Sequence, residues 1–70
     1  MITVLVLGRS SGRPVTGCRV TVHWSWTWSE GYTDRNGAVN LSGGPGQGTI
    51  YVSSEEVHKG RLSGIVTVYA

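Results

Sequence analysis

The chain has a single cysteine, two prolines and no phenylalanine, and only 14% of its 70 residues are charged. Cys18, alone, cannot close an intramolecular disulfide, so a domain of this size must be held by packing, a metal or self-association. It lies among apolar and β-branched neighbours with no histidine or acid close in sequence, which predicts a buried, inert thiol. His23 and His58 stand apart with no CxxC or HxxxH spacing, so no metal site is expected. The apolar run from Met1 to Gly8 has no basic segment before it and falls far short of the ~20 residues that a membrane span needs. No membrane partner is therefore expected, and with Met1 as the native start the expected compartment is the cytoplasm. Six basic residues against four acidic ones give a net charge of +2, and the basic residues are scattered from Arg9 to Arg61. There is thus no concentrated footprint for nucleic acid.

Catalytic patterns are missing as well. No G-x-S-x-G elbow is present, and Glu55 and Glu56 are adjacent, so in an extended segment their side chains diverge and make a poor acid–base pair. The segment Ser42 to Gly48 is rich in glycine but lacks the lysine and following helix of a phosphate loop, so it reads as a flexible connection and no cofactor is implied. The chain is expected to be a single domain, residues 1–70, that is not an enzyme. By surface scaling, such a domain buries only roughly 60% of the surface its unfolded chain exposes.

What the sequence does hold is glycine, valine, threonine and tryptophan, a composition suited to short strands and tight turns. Ile2 to Leu7 reads as a first strand that is apolar on both faces, with Ile2, Val4 and Val6 on one and Leu5 and Leu7 on the other. From Cys18 to Ser29 the alternation is clean. Val20, Val22, Trp24, Trp26 and Trp28 share one face, and Arg19, Thr21, His23, Ser25, Thr27 and Ser29 share the other, which predicts one long strand. Gly31 to Asp34 offers a short strand, and Asp34-Arg35-Asn36-Gly37 a turn. Ala38 to Leu41 and Thr49 to Ser53 offer two more strands. Ser54 to Gly60 reads as a polar turn with at most one turn of helix, which puts His58 in a surface loop. Leu62 to Tyr69 forms the last strand, with Val66 and Val68 on one face and Ile65, Thr67 and Tyr69 on the other. The expected fold is all-β: a small antiparallel sandwich of six or seven short strands.

Two stretches carry a resemblance. Gly12-Arg13-Pro14-Val15-Thr16-Gly17-Cys18-Arg19-Val20, followed by Thr33-Asp34-Arg35-Asn36-Gly37-Ala38-Val39-Asn40-Leu41, resembles the carboxypeptidase-regulatory-like and transthyretin-like sandwiches, with their G-x-P-V-x-G and T-D-x-x-G patterns. The later segments Thr49-Ile50-Tyr51-Val52 and Val66-Thr67-Val68-Tyr69 also suit that family, so the resemblance covers most of the chain; it implies an immunoglobulin-like or transthyretin-like fold, with little said about function. The enzymatic branch of that group, the 5-hydroxyisourate hydrolases, carries a histidine on the first strand, an arginine after the second turn and a C-terminal Tyr-Arg-Gly-Ser. The corresponding positions here are Leu5, Ala38 and the ending Val68-Tyr69-Ala70, so neither a general base nor an anion clamp is in place.

The candidate binding residues are Trp24, Trp26 and Trp28. On one strand face they would form a platform about 13 Å long, able to stack on sugar rings and extendable by Tyr32 or Tyr51. Core packing competes with that use, since a chain without phenylalanine must fill its core with other large side chains. The first and last strands, apolar on both faces, point to a protein partner, a second copy included. The expected function is a non-catalytic structural or protein-binding module, with a carbohydrate-binding module as the alternative.

Overall fold

The computed structural model describes residues 1–70 and contains no helix. Seven strands form: β1 (Ile2–Leu7), β2 (Arg19–Trp24), β3 (Trp28–Tyr32), β4 (Ala38–Leu41), β5 (Gly46–Val52), β6 (Glu55–Leu62) and β7 (Ile65–Tyr69). They make a three-stranded sheet in the order β4-β1-β7 and a four-stranded sheet in the order β3-β2-β5-β6. The small all-β sandwich expected from the alternation is what the chain adopts. Every pairing is antiparallel except that of β1 with β7, which is parallel and runs from Thr3↔Ile65 to Leu7↔Tyr69.

The core lies between the sheets and is almost wholly aliphatic. Ile2, Val4 and Val6 face Val20, Val22 and Ile50 across it, with Val39, Leu41, Val52, Leu62 and Val68 around them. Trp24 is its one aromatic. Strict alternation carries each strand's apolar set inward, and burying such side chains supplies most of the stabilisation, at roughly 25 cal/mol per Å² of apolar surface.

Several local expectations change. The run from Cys18 to Ser29 is not one strand. It breaks after Trp24 and doubles back as β3, with His23 opposite Trp28 and the Trp24 N–H donating to the Thr27 carbonyl at 2.8 Å. This hairpin also absorbs the short strand expected at Gly31 to Asp34. Of the segment Ser54 to Gly60 only Ser54 is in a turn; Glu55 onward is strand β6, so His58 sits half-buried on a strand opposite Ile50. The register shifts between Ile50 and Tyr51, leaving Val57 as an extra residue that masks the alternation. Leu62 ends β6, and the last strand begins only at Ile65. Cys18 is half-buried, with its Sγ 3.5 Å from Thr33 Oγ1.

The turn at Asp34 forms as expected. Asp34 Oδ1 accepts from the N–H groups of Asn36 and Ala38 at 2.8 and 3.0 Å, and Gly37 takes φ 78°. Thr33, the buried polar side chain beside it, donates through Oγ1 to the Val15 carbonyl at 2.7 Å and accepts from the Cys18 N–H at 3.1 Å. One hydroxyl thereby ties the Pro14–Cys18 approach to the turn and leaves no buried donor or acceptor unmet there. The β5–β6 hairpin turns on Ser53 and Ser54, both at positive φ (50° and 73°), the geometry of a tight two-residue turn. Arg19 Nη2 donates to Ser54 Oγ at 2.6 Å and helps hold it.

The glycine-rich connection does more than bend. β5 already begins at Gly46, and two of the glycines around Pro45, Gly43 and Gly46, make room for indoles. A Cβ on Gly43 would run into the six-membered ring of Trp24, and one on Gly46 would come within 2.6 Å of Trp26 Cη2. Trp24 and Trp26 stack on each other above this bed, with centroids 6.2 Å apart and planes 28° from parallel. Gly43 also has φ 144°, a conformation that side chains rarely adopt. Gly43→Ala is expected to destabilise the domain by about 2 kcal/mol or more, through overpacking and backbone strain together. Urea unfolding followed by tryptophan fluorescence would measure the loss; a shift in midpoint worth under half that would show that Trp24 does not need the glycine.

Candidate functional site

The hairpin decides where the three tryptophans go, and it separates them. Trp24 points inward and is 6% exposed, its Nε1–H buried without an acceptor. Trp26 lies in the turn, stacked on Trp24, and is 59% exposed. Trp28, at 62% exposure, is on the opposite side of the sheet from Trp24, because it pairs with His23 and therefore shares the outer face of β2. The three-indole platform expected from the alternation does not form: the period of two runs unbroken through a turn that reverses the chain.

A different constellation assembles on that outer face. β2 contributes Arg19, Thr21 and His23; β3 sets Tyr32, Glu30 and Trp28 directly opposite them; β5 places Tyr51 opposite Thr21 and Thr49 opposite His23. The His23 ring stacks over Trp28 with centroids 6.4 Å apart and planes 26° from parallel, and meets the Tyr51 ring edge-on at 5.3 Å. Next to this aromatic row is a shallow hollow of about 300 Å³ walled by Arg19, Thr21, Glu30, Tyr51 and Ser54. Glu30 Oε2 accepts from Thr21 Oγ1 at 3.2 Å and is 3.8 Å from Arg19 Nε. Both charged side chains are substantially exposed, so the ion pair adds little stability, but together the two groups present fixed donors and acceptors. On the far side of His23 a second hollow of about 310 Å³ is bordered by Ser25, Gln47, Thr49 and Lys59.

The arrangement offers side chains for stacking and hydrogen bonding. No three side chains among histidine, cysteine, aspartate and glutamate converge into a ligating cluster. Of the sequence candidates, Trp28 enters this site, Trp26 lies in the hairpin turn stacked on Trp24, and Trp24 belongs to the core. Of the two tyrosines named as extensions of that platform, Tyr51 meets His23 edge-on and Tyr32 lies opposite Arg19 at the other end of β3. The places of Arg19 and Glu30 were not foreseen, since the hairpin register alone brings them together.

The outer face of the three-stranded sheet has another character. Thr3, Leu5 and Leu7 of β1 lie beside Ala38 and Asn40 on one side and Ile65, Thr67 and Tyr69 on the other. Ile65 is 72% and Tyr69 52% exposed, Leu5 and Leu7 are half-buried, and no residue on this face carries a charge. The chain matches no protein-family model, no curated protein and no solved structure in the comparisons made.

The two tryptophan environments make a testable contrast. Trp28→Ala should leave stability within about 0.5 kcal/mol, whereas Trp24→Ala should cost about 3–5 kcal/mol by emptying a core site. Chemical denaturation of both variants would check this, and equal costs would contradict the placement of the two indoles on opposite faces.

Proposed function

We propose that this domain is a non-catalytic assembly module, of the carboxypeptidase-regulatory-like or transthyretin-like kind, and that its partner is a second copy of the chain. The observation that carries the reading is the uncharged outer face of the three-stranded sheet. A domain of net charge +2 that keeps a whole sheet face free of charge, with Ile65 and Tyr69 standing open on it, has the surface that self-contact requires. In a two-fold interface each patch meets itself, so a patch charged with one sign would meet that same sign, and an uncharged patch avoids that repulsion. Covering this face would also supplement a thin core that no disulfide reinforces. Thr33, which joins the Pro14–Cys18 approach to the Asp34 turn, supports the family resemblance by giving the two motif stretches a shared structural purpose.

Sedimentation equilibrium is the direct test. The weight-average mass should rise toward twice the chain mass as concentration increases, and Ile65→Lys should weaken association at least tenfold. A monomer of constant mass from micromolar to millimolar protein would overturn the proposal.

The second reading is a carbohydrate-binding module, and the row Trp28, His23 and Tyr51 favours it. An indole open on one face beside a hollow with an arginine and a carboxylate in its walls suits a neutral sugar, whose apolar ring face stacks while its hydroxyls bond both charged groups. Arg19 is already answered by Glu30, which disfavours an anionic sugar. Titration with neutral hexasaccharides should shift the emission of the wild type and leave that of Trp28→Ala unchanged. Indifference to every neutral glycan at millimolar concentration would remove this reading.

A further inference from the structure

Four strands have an open edge, and three of them are guarded. β4 is only four residues long, and Gly31 lets β3 close down against its Val39 and Leu41. β3 carries Glu30. β6 carries Glu55, Glu56, Lys59 and Arg61 and is bulged at Val57. These are the devices that keep a sheet edge from accepting a foreign strand. β7, Ile65-Val66-Thr67-Val68-Tyr69, has none of them: no charge, no proline and no irregularity in its pairing with β1.

The backbone phase of that edge follows from the hydrogen bonds on its other side. The Thr3 N–H donates to the Gly64 carbonyl and the Ala70 N–H to the Leu7 carbonyl, both at 2.9 Å, and the Arg9 N–H donates to the Ala70 carbonyl at 2.8 Å. Successive residues of a strand turn their backbone groups to opposite edges, so Gly64, Val66, Val68 and Ala70 serve β1. Ile65, Thr67 and Tyr69 then direct their N–H and C=O groups away from the sheet. The side chains of the same three residues stand on the uncharged outer face.

We propose that β7 pairs antiparallel with β7 of a second copy about a two-fold axis at Thr67, joining two three-stranded sheets into one continuous six-stranded sheet. The proposal rests on the assembly reading above and specifies its geometry. In this register Thr67 faces the second copy's Thr67, and Ile65 faces the second copy's Tyr69. Each of these pairs is of the type that exchanges two backbone hydrogen bonds, so every outward group of the three residues is satisfied. The side chains match as well: a threonine pair and two aromatic–β-branched pairs are among the favourable cross-strand combinations. The two most exposed large apolar side chains of β7 thus cover each other, which a shift of register by two residues would undo. A second copy is the occupant that fits, because the sequence of β7 is complementary to itself when reversed about its central residue.

The test is a cysteine at the axis. Hydrogen-bonded antiparallel partners have Cα atoms about 5.5 Å apart, within the range of a disulfide. In a Cys18→Ser background, Thr67→Cys should form a covalent dimer under mild oxidation, whereas Asn40→Cys on the opposite edge strand should not. Thr67→Lys, which puts two ammonium groups face to face at an exposed position, should weaken association at least tenfold while keeping the native circular dichroism. Thr67→Pro removes an N–H that the monomer does not use and should have the same effect. If Thr67→Pro fails to fold, Thr67→Lys decides. A wild-type dimer that survives Thr67→Lys and gives no Thr67→Cys cross-link would overturn the edge pairing and leave assembly through the outer sheet face standing. A wild type that is monomeric at every concentration would overturn both.

Discussion

Strand β1 is the member on which the rest of the molecule depends. It is central in its sheet, hydrogen-bonded antiparallel to β4 on one side and parallel to β7 on the other, and its Ile2, Val4 and Val6 are fully buried. A central strand must present an inner face to the core, and in a two-layer sandwich its other face meets solvent. Here that other face carries Leu5 and Leu7. The apolar character of β1 on both sides is therefore more than the monomer's core can use, and the excess reaches the surface flanked by Ile65 and Tyr69. The two faces of one strand account for both the packing of the domain and its most conspicuous exposed patch.

Much of this was legible in the sequence, because alternation and turn chemistry are local. Ile2–Leu7, the Asp34 turn, Ala38–Leu41 and the division of β7 into Val66/Val68 and Ile65/Thr67/Tyr69 all follow from residues close together in the chain. Two elements were not legible for identifiable reasons. The reversal at Ser25–Thr27 contains no glycine, proline, asparagine or aspartate, and the alternation of tryptophans runs straight through it, so neither turn chemistry nor periodicity marks the break. Strand β6 is mostly polar because it lies at an edge, and the extra residue at Val57 shifts its pattern, so it reads as a turn.

The candidate site shows the same division more sharply. That Arg19, Thr21 and His23 share a face is a matter of spacing within one strand. That Glu30 and Trp28 stand across from them depends on the unmarked reversal, and that Tyr51 meets His23 depends on a pairing between β2 and β5. Contacts set by register between distant segments leave no local trace, and the tryptophans, the most visible residues in the sequence, were the most easily misplaced. The glycines after Leu41, read as slack, are shaped to the indoles above them.

The parallel pairing of β1 with β7 has a consequence in time. β1 cannot complete its sheet until Ile65–Tyr69 has been made, so during synthesis it waits for a strand some sixty residues further along the chain. Until then its two apolar faces have neither neighbour nor cover on the β7 side. Contacts between segments so far apart in sequence must overcome the entropy of closing the intervening chain, which places such topologies among the slower-folding small domains. The interval in which Ile2–Leu7 is exposed and unpaired is when this chain would benefit most from a chaperone, and when a neighbouring nascent copy could capture it in the wrong place.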